Sequence, residues 1–335
     1  MKKFILLFSG LSLMVLSCTE APRKDISVYT LPNDETVASS EINPFDRDFD
    51  VSKLPGTPEN ELIKYGYELV SNSAKYIGPD SDNPFAGNHL ACKNCHLNSG
   101  TKPYSAPYIG VTKRFPTYRS REGHIGTIED RINGCMQRSM AGKSLPVNSK
   151  ELKAIVAYME WLSKDVSKDT KIEGKGLAKI NFPDRAVDLK HGEEVFKQHC
   201  VACHQADGQG MKNPDGTYTY PPLWGNDSYN NGAGMHRVLT AAYFIKSNMP
   251  LGATYENPVL TDEEAYDVAG YINSFNRPKK KNLEKDFPGD DLKKKPVSCP
   301  YPPYADNFSQ KQHQFGPFQP IIEFYEKEYG KAKIK

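Results

Sequence analysis

The pattern of apolar and polar positions predicts a series of helices, each beginning at a residue that can cap it. Thr57 followed by Pro58 is typical of a first helical turn. Leu62, Leu69 and Val70 then lie on one face at the spacing of an amphipathic helix. The first clear helix is therefore predicted here, after an N-terminal stretch that is polar and aperiodic.

The same order of elements occurs twice along the chain: a helix, a long loop, a further helix and a final helix. The final helices are predicted to begin at Asn148 and Thr261, 113 positions apart, with Glu151 and Glu264 completing capping boxes. The same shift superimposes apolar and aromatic positions inside both helices. Three further helices are predicted: one that begins at Thr127, one over residues 188–198 and one over about 236–246. The repeat predicts two copies of one domain type.

A CxxCH pentapeptide follows the first helix of each series, CKNCH at 92–96 and CVACH at 200–204. This motif is typical of c-type haem attachment, in which two thiols form thioethers to the porphyrin and the histidine binds the iron. A zinc or redox CxxC pair does not account for two complete motifs in the same order of elements. Two covalently bound haems c are therefore predicted, attached through Cys92, Cys95, Cys200 and Cys203 and bound by His96 and His204.

The repeat and the haem motifs predict an all-α fold of two tandem cytochrome c-type domains, with long loops and a C-terminal extended strap. The 335 residues suffice for two domains, and with 38% hydrophobic residues each haem would supply much of its domain's core. An ordered strap is the alternative to a tether for residues 43–55. The predicted segments are a signal peptide (1–17), a tether (18–55), domain 1 (56–165), a linker (166–185), domain 2 (186–278) and the strap (279–335).

The N-terminus indicates export. Lys2 and Lys3 precede a short apolar stretch, and the sequence ending in Cys18 resembles the lipobox of bacterial lipoproteins. We expect a lipoprotein anchored through Cys18 on the periplasmic side of a bacterial membrane; an ordinary signal peptide is the alternative. Loss of both lysines from the 43 basic residues would balance the 41 acidic ones, so net charge does not indicate nucleic-acid binding.

Each haem iron has a second axial position, whose ligand tunes potential and reactivity. In domain 2 the loop Asn248-Met249-Pro250 places Met249 in a setting typical of cytochromes c, with Met235 and Lys246 as alternatives. A His/Met pair predicts a relatively high potential, suited to passing an electron on.

Domain 1 differs, because its candidate ligand is a cysteine in the stretch RINGCMQRSM, residues 131–140. Cys135 is the cysteine of this domain left after haem attachment. The 113-residue shift instead maps Met249 onto Met136, and Met140 is a further alternative. A disulfide between Cys135 and Cys299 would also leave Met136 as the ligand.

Basic residues are dense around this stretch. Some would pair with haem propionates, and the remainder predict a cationic pocket for an anionic substrate beside the iron. Arg131 and Arg138 would also favour the thiolate form of Cys135. A single arginine is usually a solvated surface residue, so the prediction depends on the density of the cluster. Its members are Lys113, Arg114, Arg119, Arg121, Arg131 and Arg138.

Several motifs together resemble the dihaem thiosulfate dehydrogenases, which are tetrathionate-forming cytochromes c. They are the two CxxCH motifs, RINGCMQRSM, PPLWGNDSYNNGAGM, NMP and QHQFGPF. The resemblance covers about residues 55–320, and it implies that two thiosulfates are coupled to tetrathionate, with the reverse reaction in some members. It also implies His96 with Cys135 at haem 1, His204 with Met249 at haem 2, and an active site at haem 1.

Electrons are expected to pass from haem 1 to haem 2 and on to a periplasmic or membrane acceptor, another cytochrome c or a quinone-linked system. Thiolate ligation predicts the lower potential at haem 1. The alternative function is a membrane-tethered dihaem electron carrier without substrate chemistry, which needs no arginine-lined pocket. The expected catalytic residues are Cys135, Arg131, Arg138, Arg114 and Arg119.

Overall fold

A computed structural model describes residues 43–334 of the chain. The predicted signal peptide and the proposed anchor at Cys18 lie outside the described residues. Within 43–334, no helix is both long enough and apolar enough to cross a bilayer. This part of the chain forms one compact unit that contains both helical repeats.

The first repeat surrounds the first CxxCH motif, and its helices begin at side chains that cap them. Thr57 accepts a hydrogen bond from the backbone N–H of Asn60, and Thr127 and Asp130 form a capping box. The final helix begins one residue later than predicted, because Ser149 rather than Asn148 supplies the capping oxygen. The helices are α1 (Pro58–Ser71), α2 (Ser73–Ile77), the short turn α3 (Leu97–Gly100), α4 (Ile128–Arg138) and α5 (Lys150–Leu162).

The second repeat follows the same plan. Asp188 caps its first helix by accepting hydrogen bonds from two backbone N–H groups, and Thr261 with Glu264 forms the predicted capping box. The helix predicted from about His236 begins two residues later. The helices are α6 (Leu189–His199), α7 (Val201–His204), α8 (Val238–Asn248) and α9 (Asp262–Asn273).

The first and last helices of each repeat cross at a glycine. A Cβ on Gly66 would lie 2.0 Å from the carbonyl oxygen of Ala154, and one on Gly192 would lie 2.2 Å from that of Asp267. No larger residue permits this approach of two helix backbones. Ala154 and Asp267 are themselves 113 positions apart, so the predicted register of the final helices is confirmed.

Two short antiparallel hairpins interrupt the loops. In the first, Thr117 pairs with Gly126 and Arg119 pairs with His124. This hairpin stands just before α4 and carries Arg119 and Arg121, whereas Arg114 lies in a 3-10 turn before it. The strands are β1 (Thr117–Arg119), β2 (His124–Gly126), β3 (Met211–Lys212) and β4 (Tyr218–Tyr220).

The C-terminal segment is not the extended strap that was predicted. It contains the helices α10 (Gln310–Phe315) and α11 (Gln319–Tyr329), with 3-10 turns before them. Ile321 and Tyr325, four residues apart, are buried on one face of α11 and pack into the core of the second repeat. Frequent prolines and charges concealed this short amphipathic pattern.

The segments around the repeats also pack on them. Phe45 and Phe49 contact the core of the first repeat, so residues 43–55 follow the ordered alternative rather than a tether. The predicted linker is without a helix or strand apart from one isolated bridge at Leu177, but it buries Val166 and Ile180. Met235 packs against both cores and joins them.

Candidate haem and substrate sites

The first CxxCH motif lines a cavity with apolar walls. The Nδ1 of His96 donates a hydrogen bond to the carbonyl oxygen of Ala106 at 2.6 Å, which leaves Nε2 for a metal. Cys92 and Cys95 line the same cavity, together with Ile132. These residues fit a covalently attached haem, because two thiols, a fixed imidazole and an apolar enclosure meet at one place.

Cys135 lies on α4 and lines the same cavity as His96. The guanidinium of Arg131, one helical turn earlier, donates to Cys135 Sγ at 2.8 Å. Burial raises the pKa of this thiol, but the Arg131 charge, the neighbouring His96 imidazole and the hydrogen bond from Arg131 lower it to about 6. A thiolate at neutral pH is therefore favoured.

The structure bears on the alternatives to Cys135 as the ligand of the first haem. Cys135 and Cys299 are both free, so the proposed disulfide between them is wrong. Met136 and Met140 line the cavity and are buried, whereas Cys135 lines it with a cationic partner, the Arg131 guanidinium.

The 113-residue shift does not hold for the helices before the final ones. Helix α4 ends at Arg138 and α8 ends at Asn248, so Met249 corresponds to Ser139 rather than to Met136. The 113-residue shift, which favoured Met136, therefore applies to the final helices α5 and α9 and not to α4 and α8.

The second CxxCH motif lines a separate, more apolar cavity. The Nδ1 of His204 donates to the carbonyl oxygen of Pro221 at 2.8 Å, and burial lowers the pKa of this histidine. A neutral imidazole with Nε2 free is suited to a metal. Met249, directly after α8, lines the cavity with Cys200 and Cys203. These residues again fit a covalent haem.

The other candidate ligands of this second site differ in position. Lys246 turns its ammonium group to Asp262 at 3.1 Å and to the carbonyl oxygen of Leu260 at 2.7 Å. Met235 lines both haem cavities. Tyr229 and Leu90 also line both, so the two cavities share one wall.

The structure divides the predicted arginines into two groups. Arg138 is buried and pairs with Asp286 at 2.7 Å, and it lines the cavity beside Cys135. Arg119 makes two hydrogen bonds of 3.0 Å to Glu122. Arg131 contacts Cys135 directly, whereas Arg114 is an exposed residue on the lining of the haem cavity. Although the residue as a whole is exposed, enclosure of its guanidinium by the cavity wall, with the nearby Arg131 charge, lowers the pKa of Arg114.

A further cavity opens beyond Cys135, and its walls come from three parts of the chain. The first hairpin, with α4, supplies Arg119, Arg121 and Arg131. The residue before α8, Arg237, and the C-terminal Lys333 also line it. Sequence reasoning missed these last two, because no spacing connects positions 237 and 333 with position 135.

Comparisons with known proteins agree with these sites. Residues 82–167 match the SoxA/TsdA cytochrome c domain family, and residues 189–276 match the cytochrome c family. The chain is 39% identical to a thiosulfate dehydrogenase of Psychrobacter arcticus, over 73% of this chain and 72% of the relative. It is 42% identical to the thiosulfate dehydrogenase of Allochromatium vinosum, over 67% of this chain and 82% of the relative.

A solved structure shows the same fold. The thiosulfate dehydrogenase TsdBA from Marichromatium purpuratum superimposes with a TM-score of 0.65 at 34% identity, over 76% of this chain. The match covers 53% of that chain, so this protein spans about half of its length. The alignments with the two dehydrogenases, the paired CxxCH sites and the repeated helix order show that the chain belongs to the thiosulfate dehydrogenase family, cytochromes c with two covalently attached haems.

Proposed function

We propose that the protein couples two thiosulfate dianions into one tetrathionate dianion beside Cys135, releasing two electrons, and that the same site supports the reverse reaction. The observation that carries the proposal is the position of Cys135. Its sulfur accepts a hydrogen bond from the guanidinium of Arg131, and Cys135 and His96 together line both the haem cavity and the adjoining cationic cavity. The relatives named as thiosulfate dehydrogenases support the same conclusion.

We assign His96 and Cys135 as the residues that would bind the iron of haem 1, and His204 and Met249 as those that would bind the iron of haem 2. Each histidine has its Nδ1 hydrogen-bonded to a backbone carbonyl oxygen, which fixes the ring and directs Nε2 toward the cavity. When bound, each haem supplies a site that takes up one electron at a time.

The cationic side chains bring two anions together that otherwise repel each other. Arg131 holds the Cys135 sulfur and places a positive charge beside the reacting sulfur atoms. Arg119 is held in place by Glu122, and Arg114 stands at the edge of the haem cavity. Arg138 acts as a positioning residue, since its pair with Asp286 fixes the end of α4.

Electrons leave through the wall shared by the two haem cavities, which contains Tyr229 and Met235. Cys135 as a thiolate ligand would give haem 1 a lower potential than His204 and Met249 would give haem 2, which would favour electron transfer toward haem 2. The final acceptor is proposed to be a periplasmic or membrane redox protein.

Export and anchoring through Cys18 are proposed from the N-terminal sequence. Haem attachment at CxxCH takes place outside the cytoplasm, which supports export. In cells fed labelled palmitate, the protein is expected to carry the label, and Cys18→Ser is expected to release it from the membrane fraction. Wild-type protein found unlabelled in the soluble fraction contradicts the anchor.

The enzymatic proposal is tested with the purified dihaem protein. Thiosulfate is expected to reduce the haems, and tetrathionate is expected to oxidise a reduced dye in its presence. Electron paramagnetic resonance of the oxidised protein is expected to show a low-spin thiolate signature at one haem. A fully haem-loaded protein that catalyses neither direction would instead be an electron carrier.

A further inference from the structure

Arg237 and Lys333 line the cavity beside Cys135 and make no ion pair within residues 43–334. We call their side of the cavity its outer part, because Lys333 is exposed. Within residues 43–334, neither the guanidinium of Arg237 nor the ammonium of Lys333 makes an ion pair or a side-chain hydrogen bond. Both groups line the cavity that also contains Cys135 and Arg131. A cluster of unpaired cations in a concave site is suited to an anion.

The position of Lys333 is fixed by its backbone. Its carbonyl oxygen accepts a hydrogen bond from the N–H of Val297 at 2.8 Å, and Val297 is fully buried. The chain after α11 therefore returns to the body of the protein and does not extend freely from it. Pro296, next to this contact, lines the same cavity.

The acidic groups near the cavity are already engaged. Glu122 receives hydrogen bonds from Arg119, and Asp286 pairs with Arg138. Asp291 pairs with Lys294 at 2.8 Å and accepts a hydrogen bond from Tyr118. The charges of Glu122 and Asp291 also act on Lys333, but each of these carboxylates is ion-paired with a different cation, Arg119 and Lys294.

Arg121, Arg237 and Lys333 line one cavity, and their like charges affect one another's pKa. Enclosure of the Lys333 ammonium and the charges of Arg237 and Arg121 lower the pKa of Lys333 to about 8, although the residue as a whole is exposed. Burial and the charge of Arg121 lower the pKa of Arg237 to about 10. An anion between them would relieve this repulsion.

We propose that Lys333, together with Arg237, forms an outer sulfonate-binding site that holds the end of the substrate farther from Cys135. The inference rests on the proposed function and deepens it. Tetrathionate carries a sulfonate at each end of its sulfur chain, and the two thiosulfates that form it carry one each. One sulfonate belongs near Arg131, and the outer site receives the other.

The test compares two lysines of the same tail. Lys333→Gln removes the cavity charge, Lys333→Arg keeps it, and Lys331→Gln is the matched control because Lys331 is exposed and lies off the cavity lining. Lys333→Gln is expected to raise KM for thiosulfate and tetrathionate about tenfold while kcat stays within about twofold. Lys333→Arg is expected to restore most of the affinity, and Lys331→Gln to match the wild type.

A binding measurement and a redox titration complete the test. Calorimetry with tetrathionate, in protein that also carries Cys135→Ala, is expected to show a weaker Kd for Lys333→Gln than for Lys331→Gln. The haem potentials are expected to be unchanged. Equal KM and Kd values for the two glutamine variants overturn the outer site, as does a shifted potential at unchanged KM, which would assign Lys333 to a haem propionate. Wild-type protein inactive in both directions would instead overturn the proposed function itself.

Discussion

The two haem sites share a scaffold but differ in what surrounds the sixth position of the iron. At the first site, Cys135 stands on a helix with Arg131 beside it, and a cationic cavity continues outward. At the second, Met249 lies directly after the helix, and the nearby Lys246 turns away to Asp262. The two copies of one domain type thus differ in the helix before the final helix and in the side chains around it.

The largest expected effect concerns the residue that distinguishes the two sites. Cys135→Ala removes the proposed ligand and the contact partner of Arg131, so thiosulfate oxidation is expected to fall by at least about a hundredfold. The thiolate signature in electron paramagnetic resonance is expected to disappear with it. Cys299→Ala is the matched control, because this buried cysteine lies outside both haem cavities; equal losses in both variants would remove the special role of Cys135.

Two arginines on α4 are expected to separate catalysis from stability. Arg138→Met leaves Asp286 without its buried cation, so the free energy of unfolding is expected to fall by about 3 kcal/mol. The hydroxyl of Tyr301 also donates a hydrogen bond to Asp286, which would reduce the loss of unfolding free energy. Thermal unfolding followed by circular dichroism measures the change.

Arg131→Gln is expected to act in the opposite way. The charge next to the Cys135 sulfur is lost, so kcat/KM for thiosulfate is expected to fall about tenfold or more, while the unfolding temperature changes little. If Arg138→Met lowered activity as much at full stability, the assignment of the two arginines would be reversed.

The scaffold shared by the two sites is expected to respond equally in both. Gly66→Ala and Gly192→Ala each force a methyl group into a facing helix backbone, and each is expected to cost about 2 kcal/mol of unfolding free energy. Gly56→Ala is the control, since nothing lies within 4 Å of its Cβ. A large loss for only one of the two crossings would show that the repeats pack differently.

The smallest expected effect is a pH dependence found in the second repeat alone. His191 contacts Asp267, whereas the matching positions of the first repeat are Tyr65 and Ala154. The hydrogen bond to Asp267 raises the pKa of His191 above 6.5. The stabilisation from protonated His191 is therefore fully present below the pKa of this histidine in the unfolded chain. It is lost as pH rises through the higher pKa of His191 in the folded protein.

His191→Gln is accordingly expected to lower the unfolding temperature at about pH 6 and to have little effect at about pH 9. The loss stays below about 1 kcal/mol, because the imidazole is partly exposed. Unfolding curves at the two pH values measure it, and a loss that grows toward alkaline pH contradicts the assignment.

The sequence predicted the features that depend on neighbours along the chain. Thr57, Thr127 and Thr261 cap helices as expected, because capping links residues three positions apart. The haem motifs were equally local. The prediction that Asn148 caps the final helix of the first repeat was wrong, because the next residue, Ser149, is an equally good cap and the sequence does not distinguish the two.

Features that depend on distant partners were not predicted. Asp286 lies 148 positions from Arg138, so no pattern along the chain indicates that this arginine has a buried carboxylate partner. Arg237 and Lys333 join the cavity only when the tail returns over Val297. Charge density along the chain indicated a cationic pocket, but only the fold decides which cations remain unpaired within it.

The wall of Tyr229, Met235 and Leu90 between the haem cavities has a consequence for stoichiometry. Formation of one tetrathionate releases two electrons, and each haem stores one. With the two stores adjacent, a complete turnover fits inside the protein before any acceptor arrives. An acceptor that carries a single electron would then visit twice, at times unrelated to the moment of sulfur–sulfur bond formation.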